Sequence, residues 1–354
     1  MVDAGAVWSA EDTTPGAIEA AVRSLIAEQF RKDDTFAPAR VLNLVVVVDR
    51  DWRGEIMNRL EAVGRYHASR TILCAVEPGR TTIDANVAIM TQDHHRPGEL
   101  APTRERIVLD VGEKHLEKLD TIVDPLVVTD IATVIWAPHA HHDAVDALLH
   151  LSQVVLIDSV NEPDPASGVE RARSLASEAY VVDLAWLRGT PWRERVAATF
   201  DPPQWRDELR RIDSVRVRHR PDSGVAGVLF CGWLASRLGW DAGSLVPANG
   251  RLHGKAHGKR QDVALELEPN EAQSVPGLAG IEIATASGMS ISLDRGPGGL
   301  SARRTDAKGN SSEWTVLGAS RGEAGILGEG IRQALLRDHA YEKALGRAEA
   351  MLAR

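Results

Sequence analysis

Residues 41–48 read Val-Leu-Asn-Leu-Val-Val-Val-Val, apolar at every position but Asn43. A strand wetted on one face alternates apolar and polar residues. A run without alternation has both faces covered, the mark of a parallel sheet flanked by helices. Thr71–Val76, Ala132–Trp136 and Val154–Asp158 repeat the pattern. Between these runs the apolar period changes to that of a helix: Trp52–Val63 with Ile56, Leu60 and Val63 inward, then His115 to about Leu126, then His142–Leu151. Strand–helix–strand alternation predicts an α/β fold, an open and mostly parallel Rossmann-like sheet with helices on both faces. Asn86–Thr91 and Ile107–Val111 read as further short strands, more exposed and open to antiparallel pairing. An opening helix has Thr14 as N-cap, Pro15 at the first helical position and an apolar stripe of Ile18, Val22, Leu25 and Ile26.

The clearest punctuation is Asn161-Glu162-Pro163-Asp164-Pro165-Ala166-Ser167-Gly168. It predicts a Rossmann-like domain over 1–160, a linker over 161–168 and a second domain over 169–354. The second domain reads as α+β. Helices are expected over 169–179, 184–200 and Gly224–Leu238, with a strand at Ser214–Arg218. From Asp262 the period is two, through Val263/Leu265/Leu267, Ile281/Ile283, Met289/Ile291/Leu293 and Trp314–Leu317, which predicts an antiparallel meander. One long amphipathic helix, Ile326–Leu352, is expected to close the chain.

A length of 354 residues suits two domains. Lys and Arg total 41 against 50 Asp and Glu, a net charge of −9, which argues against a nucleic-acid binder. No apolar run approaches the roughly 18–20 residues that span a bilayer, and Met1–Gly5 shows no secretory signal. Two cysteines, Cys74 and Cys231, make neither a disulfide scaffold nor a zinc site, and both sit in apolar segments as buried thiols. A cytoplasmic location is expected.

Several motifs invite chemistry and lack a part of it. After the Val41–Val48 strand the chain runs Asp49-Arg50-Asp51-Trp52-Arg53-Gly54, acidic where a phosphate-binding loop would be glycine-rich, so no dinucleotide cofactor is expected. The crevice at the carboxyl ends of the strands remains the place for a ligand, with Asp49, Asp158 and Ser159 to line it; helix capping is the plainer reading of these residues. His139-Ala140-His141-His142-Asp143 follows a strand, as the H-x-H-x-D-H motif of metallo-β-lactamase-like hydrolases does. Position 144 is Ala, the final ligand is missing, and no metal site is expected. Gly318-Ala319-Ser320-Arg321-Gly322 matches G-x-S-x-G without a usable acid and histidine behind it. Residues 251–260, Arg-Leu-His-Gly-Lys-Ala-His-Gly-Lys-Arg, hold no acid. They are expected to form an exposed irregular loop, either plainly solvated or using Lys255, Lys259 and Arg260 to meet a phosphorylated ligand or an acidic partner. In Asp183–Glu194, Trp186 and Trp192 interleave with Arg188 and Arg193, a pattern that suits an interface or, alternatively, a core.

The sequence resembles the glucose-6-phosphate dehydrogenase assembly protein family of the oxidative pentose phosphate cycle. The resemblance rests on Arg40-Val41-Leu42-Asn43-Leu44, His67-Ala68-Ser69-Arg70, Val155-Leu156-Ile157-Asp158-Ser159, Asp183-Leu184-Ala185-Trp186 through Pro191-Trp192-Arg193-Glu194, and Gly232-Trp233-Leu234-Ala235-Ser236-Arg237-Leu238-Gly239-Trp240. The family usually has Pro where this chain has Ala68. The resemblance implies a non-enzymatic protein, without cofactor or catalytic residues, that binds glucose-6-phosphate dehydrogenase, promotes its active oligomer and raises its activity. The alternatives open to the residues alone are a sugar-phosphate- or nucleotide-binding enzyme using the α/β crevice, and a hydrolase centred on His139 and His141.

Overall fold

The computed structural model describes residues 6–32, 40–63, 69–91, 103–296, 298–317 and 322–353. In chain order the elements are β1 (Val7–Ala10), α1 (Pro15–Lys32), β2 (Leu42–Asp49), α2 (Arg53–Val63), β3 (Ser69–Glu77), β4 (Asp84–Thr91), β5 (Thr103–Gly112), α3 (Leu119–Val123), β6 (Ala132–Trp136), α4 (His142–Leu148), β7 (Val154–Ile157), α5 (Pro165–Ala176) and β8 (Tyr180–Asp183). They continue with α6 (Leu184–Arg188), α7 (Thr190–Phe200), β9 (Ile212–His219), α8 (Gly224–Leu238), β10 (Asp241–Ala242), β11 (Val246–Ala248), β12 (Arg251–His257), β13 (Asp262–Pro269), β14 (Leu278–Thr285), β15 (Ser290–Gly296), β16 (Gly299–Thr305), β17 (Ser311–Leu317), α9 (Gly322–Ala334) and α10 (His339–Leu352). The chain divides into two compact units, and the division is not continuous in sequence. Glu178–Val182 and Glu323–Ala334 go with the first 157 residues, and the remainder forms the second unit.

The first unit holds an eight-stranded sheet in the order β1-β4-β5-β3-β2-β6-β7-β8. β2 pairs parallel with β3 and β6, and β5 pairs parallel with β3. β4 runs antiparallel to β5 and to β1. The unalternating run is what it reads as: Leu42 and Val45–Val48 are fully buried. Asn43, the polar exception, is also buried. Its side-chain amide donates to the Val128 carbonyl and to Thr133 Oγ1, and its oxygen accepts from Val128 N, so it fastens the strand to the chain entering β6. Glu105, 2% exposed, accepts from Arg70 Nε and Arg40 Nε, each at 2.6 Å. A buried carboxylate needs such matched donors to offset its lost hydration. The Thr14 hydroxyl accepts from Ala17 N at 3.3 Å and starts α1 as expected.

The second unit holds a sheet ordered β10-β12-β13-β9-β14-β15-β16-β17, with β11 on β12. β14 to β17 form an antiparallel meander. The expected meander is interrupted, because β9 enters between β13 and β14 and pairs parallel with β13. Val215, Val217, Val263, Leu265 and Leu267 are buried, at alternate positions of adjacent strands. α8 is apolar around nearly its whole circumference, as a helix covered on all sides must be. Gly232 explains one of its glycines: a Cβ there would stand 2.4 Å from the Ala344 carbonyl oxygen, so only glycine lets α10 pack this closely.

Several boundaries differ from the expectation. The 161–168 segment is not all linker: Asp164 accepts from Ala166 N and Ser167 N, and α5 begins at Pro165. His115–Leu126 is a succession of 3-10 turns around the short α3. The long closing helix is two helices, α9 and α10, divided at Leu335–Asp338. Arg337 there has φ +41 and Asp338 caps α10, and the two helices belong to different units. Residues 251–260 are not an irregular loop, since 251–257 form β12 between β13 and the short β10 and β11. Gly254 is there for close approach rather than for a turn, as a Cβ would stand 2.7 Å from the Ser244 carbonyl oxygen. The G-x-S-x-G stretch lies outside the described residues but for Gly322.

Candidate functional site

The Asp183–Glu194 stretch is assembled around one buried carboxylate. Asp183 ends β8, caps α6 and is 1% exposed. It accepts from Ala185 N at 2.9 Å, Ser159 N at 3.2 Å, Ser159 Oγ at 2.7 Å and Tyr341 Oη at 3.1 Å. Burial, and then the charge of Asp158, push its pKa up to about 6 against the pull of those donors. Asp158 and Arg188 form a two-pronged ion pair at 2.8 and 2.7 Å, with side chains 13% and 8% exposed. Both crevice candidates thus hold internal partners, and Ser159 also lines a cavity of the second unit. Neither caps a helix with its side chain, and each holds an internal partner.

Trp186 and Trp192 are 3% and 1% exposed, so their rings are core and present no surface to a partner. Trp186 Nε1 donates to Asp338 Oδ2 at 2.9 Å, and its ring lies 5.5 Å from that of Tyr341. α10 is thus tied to α6 at both its cap and its first turn. Arg193, 9% exposed, donates to the Trp186 carbonyl at 2.8 Å and to Thr190 Oγ1 at 2.9 Å, with its guanidinium 3.3 Å over the Trp186 ring. Burial pulls its pKa down to about 9, which leaves it charged at neutral pH. The interleaving of tryptophan and arginine that marks interfaces here marks a sealed junction of helices: a delocalised guanidinium stacked on an indole tolerates burial better than an ammonium would.

The basic residues of 251–260 divide. Arg251 donates to Glu266 and Glu268 at 2.7 and 2.5 Å, and His257 pairs with Asp262 at 2.8 Å. Lys255, Lys259 and Arg260 are exposed and make no ion pair among the described residues. At the carboxyl end of β2, Asp49 lies 3.1 Å from His141 Nε2, and the ring of Trp52, 47% exposed, lies 5.0 Å from that of His139, tilted by 41°. Asp49 caps nothing with its side chain. Burial holds the His139 pKa below the ordinary histidine value. Among the described residues no group of three or more His, Cys, Asp or Glu side chains is arranged to hold a metal ion, and no helix is long and apolar enough to cross a membrane. Cys74 and Cys231 are fully buried, and burial pushes both thiols up to about 12.

Fold and motifs together define a class: a protein of two α/β units whose distinctive charged and aromatic residues hold its own interior together. Two family models match. One describes the N-terminal domain of a glucose-6-phosphate dehydrogenase subunit and matches residues 60–174; the other describes the C-terminal domain of the same protein and matches residues 179–345. The chain belongs to the glucose-6-phosphate dehydrogenase assembly protein family. It is 26% identical over 242 residues to a Synechococcus elongatus protein named "Putative OxPP cycle protein OpcA", a match covering 67% of this chain and 52% of that one. Proteins of the same name from Nostoc punctiforme and Synechocystis are 29% and 27% identical over 44% and 51% of this chain. The matches span about half the length of the first of these relatives and 36% and 37% of the others. Among solved structures, apo scyllo-inositol dehydrogenase from Lactobacillus casei aligns at 12% identity with a TM-score of 0.43, over 89% of this chain and 95% of that one, too loosely to bear on function.

No local motif marks Asn43, Arg70 and Glu105 as working residues, or Tyr341 and Asp338 as partners of the Asp183–Glu194 stretch. A polar residue in an apolar strand was the available signal for Asn43. The partners of Asp183 and Trp186 lie 158 and 152 positions away, beyond the reach of any local pattern.

Proposed function

We propose that this protein binds glucose-6-phosphate dehydrogenase in the cytoplasm and promotes its active oligomer, with no turnover of its own. The observation that carries the reading is that both halves of the chain match the domains of one family of dehydrogenase-associated proteins. The geometry agrees with it, because Asp158, Asp183, Arg188 and Arg193, the buried charges of the family-like motifs, all have internal partners. Such a protein acts by binding the active oligomer more tightly than the inactive form, and its effect on the equilibrium equals that difference in binding free energy. Lys255, Lys259 and Arg260 are the proposed contacts to acidic groups of the dehydrogenase. Trp186, Trp192, Arg188 and Arg193 contribute by holding together the interior of the same unit.

The test is to mix the purified chain with the dehydrogenase and to measure the enzyme's mass by light scattering and its initial rate. A larger enzyme assembly and a faster rate are expected, with no turnover of sugar phosphate and NADP by the chain alone. An unchanged mass and rate would overturn the proposal, as would turnover by the chain alone that Asp49→Ala or His139→Ala abolishes.

A further inference from the structure

Among the described residues the two sheets end in four edges, and three of them are blunted. β1 and β8 are four residues long. The outer side of β12 is shared by the two-residue β10 and by β11, which carries Pro247. Short strands and proline are the usual guards against the addition of a further strand. β17 has neither guard. Its seven residues, Ser311-Ser312-Glu313-Trp314-Thr315-Val316-Leu317, pair with β16 from end to end without a bulge, and they include no proline and no lysine.

The turn between β16 and β17 fixes which backbone groups face outward. Asp306 N donates to the Asn310 carbonyl and Gly309 N to the Asp306 carbonyl, each at 2.9 Å, with Gly309 at φ +83. Pairs along an antiparallel ladder alternate between hydrogen-bonded and not. Counted outward from Asp306 and Asn310, the bonded pairs are Arg304 with Ser312, Ala302 with Trp314 and Leu300 with Val316. The N–H and C=O groups of Ser311, Glu313 and Thr315 therefore point away from β16, along the open edge.

The side chains add a second constraint. Trp314 and Val316 stand opposite Ala302 and Leu300, which are 3% and 2% exposed. The buried face of the sheet thus continues onto its last strand, where Trp314 is 36% exposed. On the other face Glu313, the one charged residue of β17, is already paired with Arg303 at 2.6 Å. The edge offers backbone donors and acceptors, an apolar face and no unanswered charge. A charged partner strand finds no counter-charge here, whereas a strand of the same make-up presents what this one lacks.

We propose that β17 pairs antiparallel with β17 of a second copy of this chain across a two-fold axis, joining two sheets of the second unit into one. Pairing over the whole strand sets Trp314 opposite its own copy, Glu313 opposite Thr315 and Ser312 opposite Val316. Glu313 and Thr315 then exchange backbone hydrogen bonds, and the two Trp314 residues form a non-bonded pair, the kind whose side chains approach most closely. A slip of two residues shortens the ladder in either direction, and in one direction it faces Glu313 with Glu313. The contact uses the same patch on both copies, so it closes at two.

The test is the mass of the full chain in solution, by sedimentation equilibrium. An interface this small is weak, so the mass should climb from monomer toward dimer between about 1 and 300 µM. Thr315→Pro removes an N–H that faces the open edge and none that bonds to β16, so it should weaken dimerisation about tenfold or more while the melting temperature holds. The register is read by crosslinking with oxidised glutathione: Trp314→Cys should give a disulfide-linked dimer, and Ser312→Cys, which faces Val316, should not. Cys74 and Cys231 are buried and stay out of the reaction. A chain still monomeric at about 300 µM, which leaves the edge to a strand of another protein, would overturn the proposal. So would a dimer that Thr315→Pro leaves intact, or crosslinking as efficient through Ser312→Cys as through Trp314→Cys.

Discussion

Trp186 carries three kinds of contact at once. Its indole N–H donates to Asp338, its face lies under Arg193, and its ring meets Tyr341. Trp186→Ala removes all three and opens a cavity, so it should cost about 3–5 kcal/mol of unfolding free energy in urea titration. Asp183 makes a different prediction. Its folded pKa of about 6 lies above its ordinary value of 3.8, so the folded state holds the proton more tightly than the unfolded one. The stability it contributes is full below the ordinary value and is lost as pH rises through the folded one. Between about pH 4 and 6.5 it should cost the wild type up to about 3 kcal/mol that Asp183→Asn does not lose. The stability of the wild type minus that of Asp183→Asn, measured by urea titration across that window, should fall as pH rises; a difference that rises would contradict the assignment of the proton to Asp183. At this scale the residue types of the site were legible and their roles were not. Tryptophan beside arginine has the same composition in a core as in an interface, and only the depth of Trp192 and the 3.3 Å stacking of Arg193 separate the two.

Among the elements, β2 and α8 were the most legible, because each is apolar at nearly every step of its own period. β12 was not. A glycine among charged and histidine side chains reads as a loop, yet Gly254 is needed where Ser244 crosses and Arg251 is balanced by glutamates on β13. The closing helix was over-extended because the apolar stripe runs nearly unbroken through Leu335 and Leu336. The break is carried by Asp338, an N-cap whose oxygen accepts from Ala340 N. As a strand, β12 displays Lys255 on a rigid support, with Lys259 and Arg260 just beyond it. If these are the contacts to the dehydrogenase, Lys255→Glu with Lys259→Glu should slow association, and more at low salt than at high, because exposed charges steer encounter and salt screens them. Stopped-flow association at two ionic strengths checks this. An on-rate that the double variant leaves unchanged at low salt would remove these lysines from the interface.

At the scale of the whole molecule, strand–helix alternation and the later change of period to two were enough to set out one mostly parallel sheet and one largely antiparallel sheet. Which segment joins which sheet was hidden, because Glu178–Val182 and Glu323–Ala334 return to the first unit across long stretches of sequence. Each unit also carries one cysteine, Cys74 in β3 and Cys231 in α8, fully buried and held in the unreactive thiol form. A thiol at about 12 presents almost no thiolate at pH 8, and no reagent reaches it until the surrounding structure opens. The pair is therefore a built-in clock with two hands. Alkylation followed by mass mapping should label neither cysteine in the native chain on the timescale of free thiol chemistry, and the two labelling rates, read separately, should report how often each half of the molecule comes apart on its own.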